Sequence, residues 1–229
     1  MSTITKRKFS IVSLKGRFLL WHRKEGVFVD TNALFKLTSG LFLLIAKTDK
    51  DNGCIINTVL QVTASPVQIV VVVNKKNYTH DMLKETGIFN VSVLSENAPM
   101  DIYKRFGYAS GRDTDKFNGF NDISRSENGI LYLTEYSNAF LSGKITEEKD
   151  LGTHTLFIAD VTNAEIITED TSVTYDYYQK NIKTASAPKT DGKKGFVCTV
   201  CGYIYEGNVL PEDFICPVCK HGAEAFKPL

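Results

Sequence analysis

The chain has 229 residues, of which 43% are hydrophobic and 23% charged, and its formal net charge is +1. That balance suits a soluble globular protein with room for one or two cores, and it offers no global attraction to nucleic acid or to an anionic membrane. The longest apolar run, VQIVVVV, has the length of a strand and falls far short of the roughly 18–20 residues of a membrane span.

Residues 1–26 fit no clear element. Lys6, Arg7 and Lys8 are not followed by the apolar core or small-residue cleavage site of a secretory signal. The stretch is expected to be an extension of the domain that follows, or a mis-assigned start with translation beginning near Val27.

Regular signals start at Val27. TNALFKLTSG, with Leu34, Leu37 and a closing Gly40, predicts a short helix. LFLLIAK predicts a buried strand. Asn52-Gly53 is a hairpin signal, and CIINTVLQVT reads as one returning strand. VQIVVVVN is a further strand, rich in β-branched residues. YTHDMLKETG predicts a helix with Thr79 as its N-cap and Gly87 as its stop. IFNVSVLS follows as a strand, then a short helix at MDIYKRF and the glycine-rich loop GYASGRD. Residues 130–168 hold at least three more strands. Many short strands and few helices favour a closed barrel over a parallel α/β sheet.

The composition changes after residue 180. Residues 180–194 carry five lysines, one aspartate and mostly small or turn residues, so 181–194 are expected to form a flexible linker between a domain at 27–180 and a module at 195–229.

Five cysteines are present, four of them within 22 residues as two Cys-x-x-Cys pairs, Cys198/Cys201 and Cys216/Cys219. A Cys-x-x-Cys turn brings two thiolates to one ion, and two such turns make a tetrahedral S4 site suited to Zn(II) or to a single iron. Clustered pairs without an export signal point to metal ligation in a reducing cytoplasm rather than to disulfides. Cys54, the fifth, is expected to be a small buried hydrophobe. About 35 residues cannot stabilise themselves through an apolar core alone, so the metal must supply much of the module's folding free energy.

CTVCGYIY and CPVC resemble rubredoxin, with Gly202 and Pro217 after the second and third cysteines. Phe196, Phe214, Tyr203, Tyr205 and Phe226 match its aromatic set. The bridge EGNVLPEDF is shorter than in ordinary rubredoxins and is closer to the rubredoxin-like module of rubrerythrins. The resemblance implies an Fe(Cys)4 electron carrier. A structural zinc ribbon is the competing reading.

NTVLQVTASPVQIVVVVNKKNYTHDMLKETGIFNVSVLS, FGYASGRDTDKF and LGTHTLFIADV resemble the flavin reductase family. This implies a mainly β fold: an FMN-binding split β-barrel with short helices, followed by the small rubredoxin-like iron-knuckle domain. By position, the resemblance places Asn57, Thr58, Val59 and Gln61 along the flavin and Thr63 and Ser65 at its phosphate or ribityl oxygens. Asn74, Lys75, Lys76, Asn77, Tyr78 and Thr79 would close round the phosphate, where hydroxyls, amides, a lysine charge and a helix N-terminus all favour an anion. Gly111 and Arg112, in the glycine-rich loop, would cover the flavin. His154 matches a histidine beside flavin and nicotinamide, and is the one residue expected to be catalytic. Taken singly, Lys75 also fits an ordinary turn, Arg112 a surface ion pair and His154 a strand histidine bonded to backbone.

Together the two parts resemble the high-molecular-weight rubredoxins. The resemblance implies an NAD(P)H-dependent flavin/rubredoxin oxidoreductase that passes electrons from NAD(P)H through FMN to iron. A redox partner of the flavodiiron type would receive them. It also implies a homodimer. The alternative is a flavin or ferric reductase with a zinc-ribbon docking module. A linker of some 14 residues has an r.m.s. span of about 20 Å, enough for the module to reach the flavin and then a partner.

Overall fold

The computed structural model describes residues 11–14, 17–20, 33, 36–183, 195–199, 202–217 and 221–229. The chain divides into two compact units, residues 1–38 and 39–229. The first contains an antiparallel pair, β1 (Ile11–Leu14) and β2 (Arg17–Leu20), with Ile11 opposite Leu20 and Leu14 opposite Arg17. This corrects the expectation of no element within 1–26. The signal was there: two short apolar runs flank Lys15-Gly16. Of the helix expected over 31–40, residues 31, 32, 34 and 35 lie outside the described residues; Ala33 and Lys36 have 3-10 geometry, and 37–40 are not helical. Gly40 forms an isolated antiparallel bridge with Thr174.

The second unit is built on β3 (Phe42–Lys47), β4 (Asp51–Ile56), β5 (Val59–Ala64), β6 (Val67–Asn74), β7 (Ile88–Leu94), β10 (Ser137–Asp150) and β11 (His154–Ile166). They form one sheet in the order β4-β3-β7-β10-β11-β6-β5, with every pairing antiparallel. The sequence neighbours β4 and β5 are thus opposite edges of the sheet. What reads as one strand, CIINTVLQVT, breaks at Asn57-Thr58, where the chain passes directly from one edge strand of the barrel sheet to the other. Thr58 O accepts a bond from Val72 N, which carries the β5–β6 ladder back to the break. The hairpin between β3 and β4 turns at Thr48–Lys50, not at Asn52-Gly53 as the dipeptide suggested. Asn52 lies inside β4, where its buried amide donates to Thr79 Oγ1 at 2.8 Å. A tertiary partner has overridden the local turn preference.

Inside the barrel Leu44, Ile69, Val71, Val73, Phe89, Val91 and Phe157 pack together, and the alternation of β6 follows from one inward face. Helix α1 (Tyr78–Thr86) adds Met82 and Leu83 to that core and stops at Gly87, whose N–H returns to Leu83 O. Its N-cap is Asn77, not Thr79. Thr79 is fully buried inside the first turn. Cys54 belongs to the same core, as expected. A second core gathers Leu43, Ile45 and Leu94 with Ile102 and Tyr103 of α2 (Met100–Tyr103). Phe106, from the π-helical turn Lys104–Tyr108 that follows, completes it. Strands β8 (Ile123–Arg125) and β9 (Leu131–Leu133) form a separate pair. α3 (Tyr175–Tyr177) runs into a π-helical turn, Tyr178–Lys183, so the first residues of the expected linker are helical. Residues 184–194 lie outside the described residues. Among the described residues no helix is long and apolar enough to cross a membrane.

The C-terminal module is a three-stranded sheet, β13 (Ile204–Tyr205), β12 (Phe196–Cys198) and β14 (Phe226–Pro228). Its core holds Cys198, Cys216, Ala225 and Phe226, with Phe196, Tyr203, Tyr205, Leu210 and Phe214 packed around them. Phe214 sits 4.7 Å from Tyr205 and edge-on to Phe226 at 5.3 Å, ring to ring. The aromatic set read from the sequence is therefore one cluster.

Candidate functional site

The break between β4 and β5 opens onto a cavity of about 430 Å³. Five of the residues expected at a flavin line it: Asn57, Thr58, Asn74, Asn77 and His154. The barrel brings them together from three places. Asn57 and Thr58 come from the strand break, Asn74 and Asn77 from the end of β6, and His154 from the start of β11. His154 stands opposite Asn74 in the β6–β11 register. Its Nδ1 lies 2.9 Å from Thr153 Oγ1, so the ring is held at the cavity wall through one nitrogen. Leu41, Ile56, Val72 and Tyr175 supply apolar wall. Amide and imidazole groups on an apolar wall suit a flat heteroaromatic ring that needs orientation.

Lys75 does not point a free charge into this space. Its Nζ bonds Asp150 Oδ2 at 2.6 Å, and its backbone N–H donates to Thr153 O. Both contacts tie the β6–α1 loop to the β10–β11 hairpin. The Lys75 bond, with the Gly152 N–H, holds the Asp150 carboxyl below its usual range.

A second cavity, of about 560 Å³, lies along the same loop and shares Asn74 and Asn77 with the first. Lys76, Tyr78, Thr79 and Gly111, all expected at the phosphate or flavin, line it. The glycine-rich loop is held close. A Cβ on Gly111 would fall 2.0 Å from Asn52 Oδ1, so only glycine lets the loop approach β4 here. Lys50 Nζ donates to Gly111 O at 2.7 Å. Arg112 turns away to pair with Asp81. It also sits 5.1 Å from the centre of the Tyr78 ring, as Lys50 does. Partial burial of Asp81 opposes ionisation, but the Arg112 and His80 contacts prevail and lower its pKa. Cavity-lining Asn52, Cys54 and Lys116 were missed by sequence reasoning. Asn52 was hidden by its turn signal, and Lys116 by its place in a loop full of charges.

Val59, Gln61, Thr63 and Ser65 lie along β5 and its turn, outside both cavities of the single chain. Gln61 and Thr63 are exposed and bond locally, Gln61 Nε2 to Thr63 O and Thr63 Oγ1 to Pro66 O.

In the C-terminal module Cys198 and Cys216 are 1% and 0% exposed and share one core. Each opens a matching turn. Cys198 N–H donates to Tyr203 O, and Cys216 N–H to His221 O, both at 2.8 Å. Gly202, with φ of 78°, donates back to Cys198 O. Its left-handed backbone is the conformation glycine adopts at no cost. Cys201 and Cys219 fall outside the described residues. Two buried sulfurs, each at the head of an equivalent turn, fit the donor set of an S4 metal centre.

The flavin reductase like domain family matches residues 34–186, and the rubrerythrin, rubredoxin-like domain family matches 196–227. A high molecular weight rubredoxin of Moorella thermoacetica is 35% identical over 231 residues, covering 88% of this chain and 100% of that protein. A ferric-chelate reductase (NAD(P)H) of Archaeoglobus fulgidus is 36% identical, covering 71% of this chain and 95% of its own length. Among solved structures, the BorF flavin reductase component of a bacterial two-component tryptophan halogenase aligns with a TM-score of 0.56 at 21% identity. It covers 64% of this chain and 93% of that one. An FMN-binding protein from Thermus thermophilus aligns with a TM-score of 0.55 at 21% identity, covering 64% and 81%. These likenesses agree with the mainly β barrel described above. The chain belongs to the flavin reductase like family, in the form that carries a C-terminal rubredoxin-like domain.

Proposed function

We propose that this oxidoreductase carries electrons from NAD(P)H through FMN to a single Fe(Cys)4 centre and on to a redox partner protein of the flavodiiron type, in the cytoplasm. The observation that carries the reading is the convergence of Asn57, Thr58, Asn74, Asn77 and His154 on one cavity of a flavin reductase-like barrel. The same chain holds buried Cys198 and Cys216 at the heads of paired turns. FMN supplies a change from two-electron to one-electron chemistry, and iron in S4 coordination supplies a one-electron outlet.

The chain's own residues bind and orient. Asn57 and Thr58 offer amide and hydroxyl groups to the ring edge. Asn74 and Asn77 stand where the two cavities meet. His154, fixed through Nδ1, presents Nε2 toward ring or nicotinamide. Cys198, Cys201, Cys216 and Cys219 hold the iron, in a module whose aromatic core shields Cys198 and Cys216 from water.

The protein works as a homodimer. Leu60, Val62 and Val67, on edge strand β5 and the start of β6, are 64%, 45% and 47% exposed. An apolar edge of this kind calls for a covering partner. A second copy there would also bring Val59, Gln61, Thr63 and Ser65 toward a flavin held between subunits.

A second reading, favoured by the ferric-chelate reductase relative, is direct reduction of ferric chelates at the flavin. One preparation separates the two. Iron, zinc and flavin are quantified, and the visible spectrum is followed during anaerobic addition of NADH or NADPH. FMN and iron, both bleached, support the circuit. Zinc in place of iron removes the electron-transfer role of the module.

A further inference from the structure

The C-terminal module touches the barrel domain through both of its cysteine turns. Thr199 directly follows Cys198 in the first turn, and Lys183 Nζ, at the end of the helical turn Tyr178–Lys183, donates to Thr199 O at 2.9 Å. His221, whose O accepts from Cys216 N–H in the second turn, lines the 560 Å³ cavity together with Gly222 and Glu224. The barrel's side of that cavity includes Lys76 and the glycine-rich loop from Gly107 to Gly111. The cavity is thus walled by both domains.

The contacts form one patch on each domain. On the module, Ala225 O accepts from Thr199 N at 2.8 Å and from Thr199 Oγ1 at 2.9 Å, and Ala225 N donates to Gly222 O. These bonds hold Thr199 beside the stretch 221–224. On the barrel domain, Tyr178 OH, at the start of the helical turn, lies 2.9 Å from Tyr108 OH in the loop. Tyr178 is 7% exposed, so its turn is anchored in the second core. Charge also fits. Residues 195–229 carry four acids, Glu206, Glu212, Asp213 and Glu224, against Lys220 and Lys227. The barrel domain brings Lys183, Lys76 and Lys116 to the contact, against Asp113.

We propose that the glycine-rich loop and the end of the helical turn Tyr178–Lys183 are a docking face for this chain's own C-terminal module, which seats on it by the end that carries both cysteine turns. The docking deepens the electron-flow reading above, on which its purpose rests. Seated so, the module turns its metal-binding end toward the flavin-side cavities and withholds that end from an outside acceptor. Delivery to a partner then needs the module to lift. Polar, partly exposed contacts suit an interface that opens and closes, unlike the apolar contacts of a permanent one.

The test uses the full-length, metal- and flavin-loaded protein as wild type, Lys183→Glu and Lys183→Arg. Lys183→Glu removes the donor and sets an acid against Thr199 O and an acidic module, whereas Lys183→Arg keeps a donor. Amide hydrogen exchange read by mass spectrometry should be at least about fivefold faster over residues 107–113 and 221–225 in Lys183→Glu, with β6 unchanged and Lys183→Arg close to wild type. Unchanged exchange in those two segments overturns the docking face. Should Lys183→Glu not fold, wild type decides: removing the metal with a chelator unfolds the module, and residues 107–113 should then lose protection while β6 keeps its own. Protection of 107–113 that survives metal removal overturns the proposal. Anaerobic mixing with NADH separates the docking from its purpose. Flavin bleaching should keep its rate in Lys183→Glu while iron bleaching slows about tenfold, because the seated fraction falls. Exchange that quickens while iron bleaching keeps its rate, or a module that holds zinc, fails the electron-flow reading and leaves the docking face standing.

Discussion

His154 and Asn74 face each other across the β6–β11 ladder and line the same cavity. One residue comes from the start of a strand and the other from the end of its neighbour, so the antiparallel register alone fixes their spacing. Replacing His154 by Ala should slow flavin reduction by NADH about 10–100-fold through lost positioning, with FMN affinity changed much less. Anaerobic stopped-flow absorbance, set beside a binding titration, checks the split. Equal losses in both would assign His154 to flavin binding alone.

Gly111→Ala should act through Asn52. The added methyl displaces the Asn52 side chain and breaks its buried bond to Thr79 Oγ1, at a cost of about 1–3 kcal/mol. Urea unfolding measures the loss. Flavin content of the purified variant should fall with it, because the loop and the first turn of α1 bound the same cavity.

Leu60→Glu places a charge on the exposed apolar edge at β5. Sedimentation should show a shift from dimer to monomer, and flavin affinity should drop as the second subunit is lost. A dimer that persists with full affinity would move the interface elsewhere.

The Lys75–Asp150 tie predicts a direction with pH. The folded-state pKa of Asp150 is lowered, so the tie contributes above the unfolded carboxylate value of about 4 and is lost as pH falls through the lower folded value. Both partners have substantial exposure, so salt should weaken the tie. The protection of the Lys75 amide, whose N–H bonds Thr153 O, should fall in acid relative to the intrinsic exchange rate, and Asp150→Asn should abolish that acid step.

Much of this was legible in the sequence because it is local. The β-branched run of β6, the Gly87 stop of α1 and the aromatic frame of the C-terminal module are patterns within a few residues. The misreadings are tertiary. Asn52-Gly53 has the chemistry of a turn, yet Asn52 finds a buried partner 27 residues away in Thr79. CIINTVLQVT is uniform in character, yet it supplies both edge strands of one sheet, and residues at its break, Asn57 and Thr58, line the cavity. Lys116 carries no local signal that sets it apart from the other charged residues of its loop. Only the fold around Gly53 and Phe106 reveals that it is buried.

Anaerobic rapid mixing of the iron-loaded protein with NADH or NADPH reads the order of electron flow. With FMN bound, the flavin band should bleach first and the iron band after it. The same protein stripped of flavin should keep its iron oxidised, and Cys216→Ser should reduce its flavin normally yet fail to reduce the partner. Iron that bleaches without flavin, or stays oxidised beside fully reduced flavin, would contradict the account.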